Sequence, residues 1–419
     1  MTFFVLVFMH LDTKIQKAKQ IQFLKSVLWL GISAFGGPQM HLPYFETILV
    51  KKRNFITKDE LIEISSYCNI LPGPSTTQTL TTIGFKLGGP TLAFLTVILW
   101  ALPGAIFMAT IAFFSRYFLM AHIQFIDSCV LAFMIFGTIQ MLKWMKITAL
   151  NVSLLVGIGV LGYLLRNPWF FPIGVLVGFV VSGFWGTSDL AKTNVSAIKI
   201  KWENLILFLS IFSLFGIGSL YLKKYQKSNT NPIVLFENSY RLGSLSFGGG
   251  NVLAAMTMEQ FVHHKNRLTM DELNLGIAMT QSSPGPNFNL SVFTNAIAMQ
   301  NHKSGIGQFI IGALVGFVGI FLPGTIIVFF TFPIWQQIQS NRFIQKAIPG
   351  IFSVSIGFIL SACMVLADNL ITKITVTNNT TPALFSMSVL IMCLVMLFTK
   401  KIPTPFVVLF SLAFGWFVG

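Results

Sequence analysis

The sequence predicts an all-α polytopic membrane protein made of two homologous halves. Its hydropathy, an internal repeat, and a proline-glycine-proline break placed in corresponding helices of each half all point to that class. Of 419 residues 54% are hydrophobic and 10% charged, with a mean hydropathy of +0.75. A soluble domain carries about a quarter charged residues, so the chain is not one large globular core. Apolar runs at 91–114, 149–165, 170–185 and 205–222 approach the roughly 17 to 25 residues that a bilayer crossing needs.

Pro72-Gly73-Pro74 and Pro284-Gly285-Pro286 lie 212 residues apart, as do the pairs Gly36-Gly37 and Gly248-Gly249. Aligned without a gap, residues 30–74 and 242–286 agree at 14 of 45 positions, where about three would agree by chance. Leu102-Pro103-Gly104 returns as Leu322-Pro323-Gly324, so the repeat spans most of each half. The halves are placed at 1–190 and 233–419, with 191–232 a linker carrying an extra apolar helix. If the first break crosses the bilayer completely and 205–222 crosses as well, seven spans precede the second half, which is then inverted, the arrangement favoured here. Re-entry at the break gives six and a parallel repeat.

Along the chain, Lys14 to Lys25 is a basic amphipathic approach to a helix over 26–35, which runs into Gly36-Gly37-Pro38. Residues 39–58, with Lys51-Lys52-Arg53, read as a membrane-surface segment. Thr57 followed by Glu60 is a capping box, in which side chain and backbone donors satisfy each other at a helix start. That helix runs to the break at Pro72, where proline removes an amide donor and clashes with the preceding turn. A new helix is expected from Pro74, and from Pro286 in the second copy, because proline favours the first helical turn. Gly88-Gly89-Pro90 ends this short helix, and spans follow at 91–114, 122–142, 149–165 and 169–186.

The net charge of +15 fits cationic loops against anionic headgroups and also attraction of an anionic substrate. The basic residues form short clusters between apolar windows instead of one basic face, which argues against a nucleic-acid partner. Cys68, Cys129, Cys363 and Cys393 are scattered, without metal-site or disulfide spacing, and read as small buried residues. No signal peptide is read from the apolar start, which lacks a basic n-region and a cleavage site.

Duplicated broken helices are a mark of secondary transporters, whose sites lie between the repeats near the bilayer midplane. Backbone groups freed in hydrocarbon must be satisfied by protein, water or ligand. Asn69, Ser75, Thr76, Thr77 and Gln78 at the first break, and Gln281, Asn287 and Asn289 at the second, surround the helix starts with hydrogen-bond donors. Two such electropositive starts facing one pocket suit a tetrahedral dianion. The candidate substrate-binding set is therefore Gly36, Gly37, Asn69, Pro72, Gly73, Pro74, Ser75, Thr76, Gln78, Gly248, Gly249, Gln281, Pro284, Gly285, Pro286, Asn287 and Asn289. The alternative is a kink that only shapes packing. For the Gly-Gly pairs, close backbone approach to a ligand and tight helix crossing weigh equally, whereas Gly174/Gly178 and Gly312/Gly316 read as crossings. His41 and Glu46 are candidates for proton coupling, and Arg241 and Lys86 for anion attraction, since ionisable groups near apolar spans are costly. Gly157 to Gly162 fits GxGxxG but lies inside an apolar span with no strand before it, so no dinucleotide site is inferred. No metal or cofactor is implied.

The blocks Phe35-Gly36-Gly37-Pro38 with His41, Asn69-x-x-Pro72-Gly73-Pro74 with Gln78, Phe247-Gly248-Gly249-Gly250 and Gln281-x-x-Pro284-Gly285-Pro286 resemble the chromate ion transporter family in its two-domain long-chain form. The resemblance covers residues 20–419. It implies a multi-pass inner-membrane transporter with oppositely oriented halves that exports chromate and recognises the similar sulfate, driven by the proton motive force. One departure is Asn69, where the family's first break begins with glutamine. The expected function is thus a divalent-oxyanion transporter, not an enzyme, with the halves rocking about the ligand and a homodimer left open. A carrier of another small organic anion or amino acid, or a membrane-bound chromate reductase, are the alternatives.

Overall fold

The computed structural model describes residues 2–35, 38–115, 125–187, 231–247, 249–302, 305–335, 341–376, 380–399 and 401–418, with isolated positions between 203 and 221. Gly36, Gly37, Gly248 and most of the 191–232 linker with its expected helix lie outside the described residues.

Each half begins with a long helix, α1 (Thr2–Ser33) or α8 (Pro232–Leu245). A short helix follows, α2 (Pro38–Phe45) or α9 (Gly250–Thr257), and widens into a π turn at Glu46–Lys52 or Met258–His263. The basic approach at Lys14 to Lys25 is therefore part of one continuous α1. Next come α3 (Lys58–Cys68) and α10 (Met270–Ser282), and both capping boxes are closed. Thr57 N–H donates to Glu60 Oε2 at 2.8 Å and Glu60 N–H to Thr57 Oγ1 at 3.2 Å; for Thr269 and Glu272 the values are 2.8 and 3.1 Å. The turns that lead into them hold Asn54 and Asn266 at φ 51° and 47°, the left-handed region that asparagine tolerates.

Beyond the breaks the repeats diverge slightly. α4 (Ser75–Phe114) starts directly after Pro74 and is bent at Gly88-Gly89, where Gly89 adopts φ 72°. After Pro286 the chain first makes a 3₁₀ turn, Asn287–Asn289, and the α-helix starts only at α11 (Leu290–His302). The expected helix start at Pro286 is thus displaced by one turn, because Pro286 itself is extended at ψ 135°. α12 (Ile306–Thr331) then matches the distal part of α4. The remaining helices are α5 (Ile126–Leu142), α6 (Ala149–Leu165), α7 (Phe170–Trp185), α13 (Arg342–Val376), α14 (Thr380–Thr399) and α15 (Thr404–Val418). Ser75–Phe114, Ile306–Ile334 and Arg342–Thr372 are long and apolar enough to cross a bilayer, and α5, α6, α7, α14 and α15 are shorter apolar helices. Exposed Ile310, Leu314 and Val318 on α12, and Leu384, Ile391 and Val395 on α14, form the outward apolar faces expected against lipid.

The packing intertwines the halves. α1 packs on α4 and α8 on α12, and α4 and α12 meet each other at the centre. The closing pairs are exchanged: α6 and α7 of the first half pack on α13 of the second, while α14 and α15 pack on α5. Small residues permit the close crossings. On the α6 and α7 faces, Gly159 lies against Gly357 O, Gly162 against Ser361, Gly174 against Phe358 and Gly178 against Val354. Gly312 meets Asn295 O, and Gly316 the backbone of Ser291, in the crossing of α12 with α11. All four cysteines are buried and free.

Gly31 sits where α1 crosses α4, and a Cβ there would stand 2.8 Å from Trp100 O and 2.9 Å from Leu99 O. Backbone cannot yield as a side-chain tip can, so Gly31→Val should cost about 1 to 3 kcal/mol of overpacking. Thermal unfolding of the detergent-solubilised protein should show a clearly lowered midpoint for this variant. Gly307→Ala, where a Cβ meets nothing within 4 Å, should melt like the parent.

Candidate functional site

Each break is closed by the other half. Gly73 N–H donates to Ser246 O at 2.7 Å, and Gly285 N–H donates to Ala34 O at 3.0 Å. These bonds correspond under the 212-residue repeat, with each break glycine reading the carbonyl just before the partner half's glycine run. Both glycines have positive φ, 110° and 80°, and both face backbone: a Cβ on Gly73 would lie 3.2 Å from Gly243 O, one on Gly285 3.1 Å from Trp100 O. Only glycine combines that conformation with so close an approach.

Residues from both breaks line one cavity of about 380 Å³. Asn69, Gly73, Ser75, Thr76 and Thr79 come from the first half, and Gly249, Gly250, Asn251, Gln281 and Asn287 from the second. Two repeat-related pairs, Asn69 with Gln281 and Ser75 with Asn287, thus face the same space. The second-half amides form a chain: Asn287 Nδ2 donates to Gln281 Oε1 at 3.3 Å and Gln281 Nε2 to Asn251 Oδ1 at 3.4 Å. Thr404 Oγ1 holds Gln281 O at 2.7 Å. Opposite this polar wall, α5 and α13 supply Phe133, Phe136, Pro349 and Phe352, so the cavity has one hydrogen-bonding side and one apolar side. Among the described lining residues Lys146 carries the only charge.

Several residues predicted for the site are beside it instead of in it. Gln78 and Asn289 are buried clamps: Gln78 Nε2 donates to Pro72 O at 2.7 Å and Gly324 O at 3.4 Å, and Asn289 Nδ2 to Ala101 O at 3.1 Å. Their donors are spent on backbone. Pro72, Pro74, Pro284, Gly285 and Pro286 shape the breaks without lining the cavity. His41 lies one side chain behind the wall, with Nδ1 3.3 Å from the hydroxyl of Thr76 and its ring edge-on to Trp100 at 5.1 Å. Trp100 in turn donates to Thr77 Oγ1 at 3.1 Å.

The charged candidates are placed elsewhere. Glu46 is in surface ion pairs with Lys51 at 3.1 Å and Lys58 at 3.5 Å, and the Lys51 hydrogen bond holds its carboxyl below the usual carboxylate range. Lys86 pairs with Glu60 on the surface. Arg241 is buried, but in contact with Glu237, Asn238 and Gln260 and not with the cavity. Sequence reasoning passed over Lys146, one of two lysines, with Lys143, in the short connection between two apolar helices, which looks like any loop cation. Its position at the cavity is set by α5 ending at Leu142 and by Asn151 Nδ2, which donates to Lys146 O at 2.8 Å.

The cavity can therefore accept a small anion: amide and hydroxyl donors converge from two helix breaks, one cation stands at its edge, and no lining carboxylate opposes it among the described residues. The chromate transporter family matches residues 21–186 and 233–416, one stretch in each half. An uncharacterized transporter of Methanocaldococcus jannaschii is 24% identical over 406 residues, covering 94% of this chain and 93% of its own. A chromate transport protein of Pseudomonas aeruginosa is 21% identical over 418 residues, covering 95% and 92%. An uncharacterized transporter of Bacillus subtilis is 33% identical over 92 residues, 22% of this chain and 46% of its own. No solved structure matches the chain.

Two outcomes are expected for the site. Gly73→Val and Gly285→Val force a β-branched residue into positive φ, at about 1 to 2 kcal/mol each before any clash; anion flux in vesicles should be lost while membrane insertion, read by fractionation, persists. Lys146→Gln keeps a polar side chain, one atom shorter, but removes its charge, and the half-saturating anion concentration should rise about tenfold, equivalent to about 1.4 kcal/mol.

Proposed function

Because this chain belongs to the chromate transporter family, we propose that it is a secondary transporter that carries chromate out of the cell across the inner membrane, accepts sulfate at the same site, and is driven by the proton motive force. The observation that carries this reading is the single cavity lined by both breaks, with Asn69, Ser75, Gln281 and Asn287 as repeat-related polar groups and Lys146 as the cation. Chromate and sulfate are tetrahedral dianions of similar shape, and neutral amides and hydroxyls recognise their oxygens without demanding a fixed orientation. One cation leaves a dianion only half neutralised, which suits a ligand that must also be released. Asn69 in place of glutamine shortens one donor by a methylene, and the cavity tolerates it because Gln281 faces the same space from the other side. The described lining residues come from both halves of this one chain. The halves are taken as inverted, so that closing one mouth opens the other.

Proteoliposomes test the reading. Radiolabelled chromate should exchange across the membrane, sulfate should compete with it, and an uncoupler should abolish accumulation but not exchange. Flux of an amino acid or organic anion with none of either oxyanion would overturn it. Asn69→Gln should keep chromate flux near the parent level in the same assay.

A further inference from the structure

The second half contains a buried polar cluster with no counterpart among the described residues of the first half. Arg241 Nε donates to Glu237 Oε1 at 2.9 Å, and its Nη2 donates to Asn238 Oδ1 at 3.0 Å and Gln260 Oε1 at 3.2 Å, with the Trp169 ring 5.1 Å from the guanidinium carbon. In the 212-residue register the corresponding first-half residues are Lys25, Ser26, Ile48 and Trp29, which share no such network. Next to Gln260, Glu259 is 4% exposed and neither carboxyl oxygen has a hydrogen-bond partner. Arg267 is 5% exposed, its three guanidinium nitrogens have no partner, and it rests 5.2 Å over the Phe261 ring. The repeat puts exposed Thr47 and buried Phe55 at these two positions. Glu259 and Arg267 thus stand where the first repeat has a surface threonine and a core phenylalanine, and the charged atoms of neither make a hydrogen bond among the described residues, although Glu237 acts electrostatically on Arg267.

The groups around Glu259 come from every neighbouring element. Arg166, in the turn between α6 and α7, acts electrostatically on both Glu259 and His263, and pairs with Asp368 of α13 at 3.0 Å. Glu237 and Arg241 of α8 close on each other. Glu272 of α10 is held by Thr269 and Asn301. His264, Lys265 and Asp271 have interactions of their own at the outer turn. No hydrogen-bond donor reaches the Glu259 carboxyl among the described residues, and a buried carboxyl without a donor favours its neutral, protonated form. Arg166 and Asp368 have side chains 35% and 47% exposed, so Glu259 has a water-exposed ion pair within electrostatic reach.

The segment that bears Glu259 also reaches the substrate. Gly249, Gly250 and Asn251 line the cavity at the start of α9, and the helix runs without interruption into the π turn that holds Glu259. Nine residues of helix span about 13 Å. We propose that Glu259 is the proton-carrying group of the transport cycle, loaded past the Arg166–Asp368 pair and coupled to the anion cavity through α9; this rests on the proton-driven reading above. When the proton leaves, the buried carboxylate competes with Asp368 for Arg166, which moves α9 and with it the glycine wall of the cavity.

The test compares two modes of flux in proteoliposomes with radiolabelled chromate and sulfate. Anion exchange at equal pH needs no net proton movement, whereas accumulation driven by a pH gradient does. Glu259→Gln, which keeps the shape but cannot titrate, should retain exchange and lose accumulation above equilibrium, and Glu259→Asp should recover part of the accumulation. Glu259→Gln that still accumulates anion like the parent overturns the proposal. Loss of exchange in both variants also overturns it, since Glu259 then serves the fold. If the parent protein exchanges anion but never accumulates it under a pH gradient, the proton-driven reading falls, and this proposal with it, before any variant is made.

Discussion

A backbone that stops being helical inside a membrane protein must place its amides and carbonyls somewhere, and water is not freely available to take them. Here the two breaks solve that problem for each other. Gly73 donates to Ser246 and Gly285 donates to Ala34, so the amide of each break glycine is satisfied by the other half. The positive φ of both glycines, the close passage of Gly31 and Gly243 past α4 and α12, and the clamps from Gln78 and Asn289 all follow from holding these two crossings at backbone distance. The cavity is the space this arrangement leaves between the breaks and the α5 and α13 helices.

The repeat is close to symmetric where it shapes backbone, the capping carboxylates Glu60 and Glu272 included, and departs from symmetry at particular other charges. Capping boxes, left-handed asparagines, π turns and break glycines recur in register. Lys146 on one side and the Glu237, Arg241, Glu259 and Arg267 cluster on the other do not recur. A duplicated scaffold conserves free energy of folding in both copies, since each copy faces the same packing problem. Charges inside it carry a desolvation cost in each copy, so they persist only where a single copy has use for them.

Much of this was legible in the sequence, for reasons that are local. Thr57 with Glu60 announces a helix start through two reciprocal bonds three residues apart, and Pro72-Gly73-Pro74 announces a stop through the missing amide. The resemblance of the glycine and proline blocks to a transporter family pointed to the same places. What the sequence concealed is set by distant contacts. Whether an amide such as Gln78 points into a cavity or across to Gly324 depends on a residue 246 positions away. Glu46 and Lys86 were singled out for lying near apolar runs, yet each finds an opposite charge at the surface, with Lys51 and Lys58 for the one and Glu60 for the other. Lys146 carried no local signal at all.

The exchanged closing pairs have a mechanical consequence. With α6 and α7 seated on α13, and α14 and α15 seated on α5, the two repeats are laced together, and neither can tilt as a rigid lobe without unlacing. Two composite blocks keep the exchange intact, an inner one woven from α1 to α4 and α8 to α12 and an outer one of α5 to α7 with α13 to α15, and they meet where α9 packs on α13, α10 on α5 and Thr404 on Gln281. Each block owns one wall of the cavity, so sliding one past the other would open and shut it while every contact sewn by the exchange stays closed.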